Sequence, residues 1–379
     1  MLNISLETLL SPAFLRESWF HPKITRMADG RLLMLLQMIH GSDSYGPVMQ
    51  CFSSNGGHDW SDPEAVISLG WGSASEAGVV EGVCDTVPDQ DRATGLTVAV
   101  GHNVFYRDGR FLDTCGFWNH SEQNQALKRR GLYSILQADG TWAAKQYFHC
   151  EPFSNAESFV CGCSQKVIRP GGEWLIPFYF RRKPEDVYFS VCVFSMHFDG
   201  KSFAAIEHGN ILEHPHGRGL LEPSLCEYEN KVWITVRAED GYGYHSISED
   251  GVNFTSLKPW SFDDGTVLIT SSTQQHFARL DGRLWLLYTR NAGYNAAVPR
   301  FRAPLFIVEI DTAKEVLIRA SEHIALPADG DFQYPESVGF SGNFMPFSLS
   351  DKELLVSDSF IRPQRQYQGL TQIARIRIF

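Results

Sequence analysis

The eight residues Ser53-Ser54-Asn55-Gly56-Gly57-His58-Asp59-Trp60 constrain the fold of this chain more than any other stretch. The pattern S-x-N-G-G-x-x-W describes a self-contained turn. Ser and Asn side chains bond the backbone, Gly supplies φ > 0, and the closing aromatic packs beneath the hairpin. A looser copy is Ser248-Glu249-Asp250-Gly251-Val252-Asn253-Phe254. Each copy follows a strand-like run. A turn that recurs behind strands marks a repeated β-unit.

Other turn signals punctuate the chain: Ala28-Asp29-Gly30, Tyr106-Arg107-Asp108-Gly109, Ala138-Asp139-Gly140, Pro170-Gly171-Gly172, Phe198-Asp199-Gly200 and Leu280-Asp281-Gly282. An Asp-Gly pair between apolar runs is a hairpin signal. The runs are strand-like: Arg31 to Leu36, Leu96 to Val100, Trp174 to Phe178, Lys231 to Val236 and Arg283 to Tyr288. No long segment has a period of 3.6 residues, so little helix is expected. The units recur about every fifty residues, as propeller blades do. The expected fold is an all-β β-propeller, a single domain over 1–379, with seven blades preferred to six. The segment 371–379 alternates polar and apolar residues. Pairing with the first residues would close the ring and remove open sheet edges. A β-sandwich followed by another domain ranks well below this reading.

Composition narrows the function classes. The net charge is −11 and no Lys/Arg-rich run occurs, which argues against a nucleic-acid partner. An anionic sugar remains compatible if a few Arg converge in one pocket. The start, Met1 to Leu6, has neither a basic region nor a long apolar stretch, and no run is long enough to cross a bilayer. The expectation is a cytoplasmic protein with no membrane partner, and the oligomeric state stays open. Eight Cys in 379 residues make no dense disulfide framework and are read as buried reduced thiols. No cofactor is expected. No metal is expected either, because the spacing of His214, His216 and His276 fits no ligand motif.

Three polar groupings are the candidates for chemistry. The first is His214-Pro215-His216-Gly217-Arg218-Gly219-Leu220-Leu221-Glu222-Pro223-Ser224, followed by Arg237-Ala238-Glu239-Asp240. A functional Arg218 competes here with a surface pair to Glu222. The second joins Thr273-Gln274-Gln275-His276, Arg290 and Arg302. Paired amides suit hydroxyl recognition and Arg suits a carboxylate, against the alternative of a network that fixes blade packing. The third is Gly101-His102, with Tyr147 and Gln165-Lys166 downstream. His is readily poised for proton transfer, although a lone His at a strand end is often structural.

These residues carry two family resemblances. The turns resemble the Asp-box of sialidase-type propellers. Glu222-Pro223-Ser224 with Arg237 fifteen residues on resembles the sialidase segment that supplies a Glu and one Arg of the carboxylate triad. Tyr334, in Gln333-Tyr334-Pro335, would stand for the nucleophile. Where sialidases place their first Arg before a Pro, this chain has Phe20-His21-Pro22-Lys23. The chain also resembles the seven-bladed ulvan lyases, the rhamnose–glucuronate lyases and their rhamnosidase-labelled relatives. The carrying motifs are Gly101-His102, Gly162-Cys163-Ser164-Gln165-Lys166, Arg218-Gly219-Leu220-Leu221-Glu222-Pro223, Thr273-Gln274-Gln275-His276 and Arg302-Ala303-Pro304-Leu305-Phe306. That resemblance implies His102 and Tyr147 as a proton-transfer pair and Arg218 as carboxylate clamp. Lys166 stands where the group often has Arg.

The leading expectation is a lyase that cleaves a uronate-containing oligosaccharide, such as rhamnose–glucuronate, by β-elimination. An Arg would stabilise the charge that develops beside the carboxylate. The expected catalytic set is His102, Tyr147 and Arg218. The expected substrate-binding set is Gln165, Lys166, Glu222, Arg237, Gln274, Gln275, His276, Arg290, Arg302 and Tyr334. An exo-acting glycoside hydrolase working through Glu222 and Tyr334, with Asp240 nearby, ranks second. A non-catalytic glycan-binding propeller ranks third.

Overall fold

The computed structural model describes residues 2–41, 43–114, 127–341, 343–362, 365–366 and 368–379. Among these the chain is almost entirely β-strand, and the one α-helix is the short Pro12–Arg16. No described helix is long and apolar enough to cross a membrane.

The strands form small antiparallel meanders in a propeller-like arrangement. Four hydrogen-bonded sheets have four or five strands, and a fifth has eleven. The large sheet divides at a short parallel bridge, where Arg129 and Arg130 pair with Ser158 and Phe159. Counted that way, the described strands make six units. The strand Leu2–Thr8 pairs antiparallel with residues 372–378 of the last strand.

The strand Leu32–Gly41 shows why the repeats are continuous apolar runs. Leu32, Met34 and Leu36 pack with Leu355 and Ile373 of the last unit. Leu33 and Leu35 pack with Val83, Ala99 and Leu132 of the second unit. Side chains alternate across a strand, so a sheet sandwiched between neighbours needs apolar residues at both parities.

The two Ser-containing turns close through their own side chains. Gly57 N donates to Ser53 Oγ at 2.9 Å, Asp59 N to Asn55 Oδ1 at 3.0 Å, and Trp60 Nε1 to Gly57 O at 3.1 Å. In the second turn Gly251 N donates to Ser248 Oγ at 2.9 Å, and Val252 N and Asn253 N donate to Asp250 Oδ1 at 2.9 and 2.8 Å. The seven described Cys are free thiols, six of them buried, and Cys115 lies outside the described residues.

Each unit presents one inner strand to the centre. His21, Asp85 and Glu222, from three such strands, line a cavity of about 250 Å³ at one end, called the mouth below. Thr25, Asp89 and Leu225, a few residues further along the same strands, line a second cavity at the opposite end.

Candidate active site

The mouth is built by a repeated backbone irregularity. Three inner strands slip register within a few residues: between Phe20 and Lys23, between Cys84 and Val87, and between Leu221 and Ser224. Within each slip sits a left-handed residue that is not Gly: His21 at φ 55°, Asp85 at 56° and Glu222 at 45°. Cys163 takes φ 55° in the gap between Ser158–Val160 and Val167–Ile168. A β-bulge re-aims the side chain of an otherwise regular strand, and left-handed backbone at a non-Gly residue costs about 1–3 kcal/mol. Four neighbouring units carry this strain at the same level.

Two carboxyl groups and several guanidinium groups meet there. Glu222 Oε2 accepts from Arg237 Nη1 at 2.5 Å, and Arg237 Nε donates to Ser272 Oγ at 2.7 Å. Burial works to raise the Glu222 carboxyl, but the charges of Arg237, Arg302 and Arg218 hold it below the ordinary Glu range. Asp85 moves the other way. Burial, reinforced by the Glu222 charge, lifts it to about 6 against the Cys163 thiol and the charges of Arg129 and Lys23. His21 Nε2 lies 3.1 Å from Asp85 Oδ1. Burial, with Lys23 and Arg302 nearby, keeps the His21 imidazole neutral by lowering it well below its usual value. Tyr179 also lines the mouth, and burial followed by the Glu222 charge pushes its hydroxyl far up.

Arg300 and Arg302 complete the wall. Arg300 and Phe301 are both left-handed, at φ 55° and 53°, within the turn Pro299–Phe301. Neither Arg300 nor Arg302 enters an ion pair among the described residues, and the buried Arg302 Nε has no hydrogen-bond acceptor. Burial and the neighbouring charges of Arg300 and Arg237 pull the Arg302 guanidinium down to about 10. Guanidinium groups crowded into one wall, with the nearby Glu222 carboxylate already bonded to Arg237, make a receptor for a further anion.

Two groupings have donor atoms within 4.8 Å of one another, as a cation would require: His21, Asp85 and Cys163, and Cys84, Asp85 and His102. Arg129 donates to His102 Nε2, and Lys23 acts on both Cys163 and Asp85. Fixed positive charge at this range favours reading these donors as a hydrogen-bonded support for Asp85. Gly162 belongs to that support. A methyl group there would lie 2.2 Å from His102 Nδ1 and 2.5 Å from Asp85 Cβ. Gly162→Ala is therefore expected to lower stability by about 1–3 kcal/mol through overpacking, measured by chemical denaturation. It should also depress turnover, because Asp85 has to move. A variant with wild-type stability would show that the packing at this point is looser than described.

The structure brings together Glu222, Arg237 and Arg302 from the expected set and distributes the rest. His102 is fully buried behind the mouth, with Cys84 Sγ at 3.2 Å. Burial and the Arg129 charge keep it neutral, so its Nε2 accepts from Arg129 and orients a guanidinium that does line the mouth. Tyr147 is on an outer strand, donating to Glu81 Oε1 at 2.6 Å beside a separate cavity. Arg218 Nε donates to Glu239 Oε1 at 2.7 Å, close to the mouth but not in its lining. Lys166 is buried at the opposite end, 2.9 Å from Asp89 Oδ2. Gln165 clips two units together: its Nε2 donates to Phe277 O, and Phe277 N donates back to its Oε1, both at 2.7 Å.

The amide cluster is buried and hydrogen-bonded to neighbouring strands. Gln274 Nε2 donates to Asn343 Oδ1 at 2.7 Å, Thr235 Oγ1 donates to Gln275 Oε1 at 2.6 Å, and His276 Nδ1 lies 2.8 Å from Ser224 Oγ. Arg290 pairs with Glu322 at 2.6 Å and stacks over Phe306. Tyr334 is 59% exposed and absent from the mouth lining. Asp240 is 2.8 Å from His214 Nε2 and also accepts from Tyr244. His21, Asp85, Arg129, Tyr179 and Arg300 enter the site without having been singled out. In the sequence His21 appears only as the residue where sialidases place an Arg, and the other four carry no signal of their own.

This fold is found in solved structures. The chain is similar over its whole length to a protein of unknown function from Dyadobacter fermentans (15% identity, TM-score 0.67, 99% of that chain covered). It is similar to the Trypanosoma rangeli sialidase (14% identity, TM-score 0.61), with 96% of this chain matching 55% of that one. It is also similar to the intramolecular trans-sialidase from Ruminococcus gnavus (12% identity, TM-score 0.61, 98% and 97% covered). The chain thus has a sialidase-like propeller fold. No protein-family model matches it, and no curated protein does.

Proposed function

We propose that this protein is a glycoside hydrolase that releases an anionic sugar from the end of a glycan, with the mouth as its active site. The observation that carries the reading is the pair Arg300 and Arg302, which line the mouth without an ion pair among the described residues, while the nearby Glu222 carboxylate is already bonded to Arg237. An anionic substituent of the substrate supplies a direct partner. The mouth, at about 250 Å³, is of a size for one sugar ring, which suits action on a chain end. Titratable groups pushed apart by their surroundings point to acid and base roles. Asp85, protonated up to about pH 6, donates its proton to the departing glycosidic oxygen. Glu222, held ionised, stabilises the positive charge that grows on the anomeric carbon, and then attacks it or activates water. Arg237 orients Glu222, and Arg129, held by His102, adds to the anion clamp.

This order reverses the expectation drawn from sequence, where β-elimination led. The His102 and Tyr147 invoked for elimination are the residues that lie behind and outside the mouth. The sialidase-type fold of the solved relatives also fits hydrolysis better. In this reading Glu222 and Arg237 keep the places the sialidase resemblance implied, and Tyr334 takes no part. His21, in place of an Arg, directs the search beyond sialic acid to other acidic sugars.

The test is a panel of aryl glycosides of acidic sugars, namely sialic, glucuronic and galacturonic acids, beside neutral hexosides. Release of the aryl group from an acidic member without a rise at 235 nm is the expected result. A 235 nm rise would return the reading to β-elimination. Turnover of neutral members alone would remove the anion-receptor argument. For an active pair, the anomer released first, read by NMR, tells whether Glu222 attacks carbon or activates water.

A further inference from the structure

A second groove lies on the mouth face, beside the site just described. Its cavity of about 330 Å³ is lined by the loop 182–190 and by Glu213, His214 and Pro215. Arg182 and Lys183 are exposed there, and neither forms an ion pair among the described residues. Two carboxylates share the groove with them. Asp186 Oδ2 accepts from the backbone N–H groups of Arg182 and Lys183 at 2.8 and 3.0 Å, and Glu213 accepts from Ser190 Oγ at 3.4 Å. Tyr188 is 39% exposed at the rim, next to an exposed Val187. An aromatic face beside exposed cations that form no ion pair, with Arg182 resting over the Phe153 and Phe180 rings, matches the two surfaces of an acidic sugar, the apolar ring and the charged group.

The distribution of aromatics over the molecule points the same way. The exposed aromatics are Trp71, Tyr188, Tyr242, Tyr294, Tyr334 and the C-terminal Phe379. All but Phe379 sit on loops at the mouth end, among the described residues. The turns at the opposite end, such as 27–31, 198–200 and 281–283, carry none. Between groove and mouth, Arg218 donates to Glu239, Glu239 accepts from Ser272, and Ser272 accepts from Arg237 of the mouth wall.

We infer that this groove is a second sugar subsite, which holds the next acidic residue of the glycan whose terminal sugar enters the mouth. The inference rests on the proposed hydrolase reading for which sugar is terminal, and its own content is that the substrate is an oligomer with repeated negative charge. Arg182 and Lys183 meet the charge of the penultimate sugar, and Tyr188 stacks on its ring.

Binding is measured by calorimetry on the folded Asp85→Asn protein, which prevents turnover. The probes are oligogalacturonate, hyaluronan oligosaccharide, oligosialic acid and neutral dextran, each with its monosaccharide. At least one acidic oligomer should bind about tenfold tighter than its monosaccharide, with the gain reduced by added salt. Combined Arg182→Ala, Lys183→Ala and Tyr188→Ala should abolish that gain and leave monosaccharide affinity unchanged. These residues are exposed on one loop, and circular dichroism checks that the variant is folded. The inference is overturned by a triple variant that binds oligomers as wild type does, by preference for dextran, or by no gain of any acidic oligomer over its monosaccharide. Failure of the hydrolase reading looks different: no sugar is released, while groove-dependent oligomer binding persists.

Discussion

Asp85→Asn is expected to lower kcat by about 10²–10⁴-fold on any substrate the wild type turns over, the usual contribution of a positioned general acid. The substitution is nearly isosteric, and Asn tolerates the left-handed backbone at φ 56° as well as Asp does. The loss therefore reports the missing proton. In the wild type, kcat/KM should fall as pH rises through about 6, where Asp85 loses the proton it must donate. On the acid side it should fall as Glu222 becomes protonated, below the ordinary Glu range. In Asp85→Asn the residual activity should lose the alkaline limb. A variant that keeps wild-type turnover would remove Asp85 from the mechanism.

The same group links pH to stability. Asp85 binds its proton more tightly folded, at about 6, than its ordinary value of 3.8. Its favourable contribution is fully present below pH 3.8 and is lost as pH rises through about 6, where a charge must be buried. A rise of this size corresponds to about 3 kcal/mol. Asp85→Asn should thus be more stable than wild type at pH 8, with the advantage shrinking towards pH 4. Denaturation at the two pH values measures it.

Arg237→Met is the second change with a large expected effect. Arg237 and Glu222 are 5% and 8% exposed, and their side chains meet at 2.5 Å. Removing one partner of a buried pair leaves an uncompensated charge, a loss of about 3–5 kcal/mol. Arg302 and Arg218 also act on Glu222, which places the expectation at the lower end of that range. Adding Glu222→Gln should recover much of the loss, because the orphaned charge disappears with it. The comparison is a double-mutant cycle by chemical denaturation. A single variant within about 1 kcal/mol of wild type would mean that solvent reaches the pair more freely than the structure shows.

Local chemistry was readable from sequence because it depends on neighbours in the chain. The turn at Ser53–Trp60 closes through its own side chains, so its residues alone specify it. The strands after each Asp-Gly pair were legible as apolar runs, since sheets packed on both faces need apolar residues at every position. Glu222 and Arg237 were legible for a related reason. They sit on adjacent strands of one meander, where Leu221 pairs with Arg237 across a short hairpin.

Which polar residues face the centre was decided only by tertiary structure. A side chain changes face with every residue along a strand, so one extra residue in a bulge redirects it. The bulges at His21, Asp85 and Glu222 turn these residues into the mouth, and nothing in the local sequence announces the slip. Lys166 and Gln165 lie only a few residues beyond Cys163, yet they serve the opposite end of the same inner strand. Tyr147 and His102 carry the right chemistry for proton transfer, but an outer strand and a buried core position take them away from the mouth. Sequence alone determined the repeated β-unit and named Glu222 and Arg237 as candidates, while their pairing to each other was read only in the structure. The convergence of Asp85, Arg300 and Arg302 on Glu222 and Arg237 belongs to the tertiary arrangement, because it joins residues from units more than two hundred positions apart.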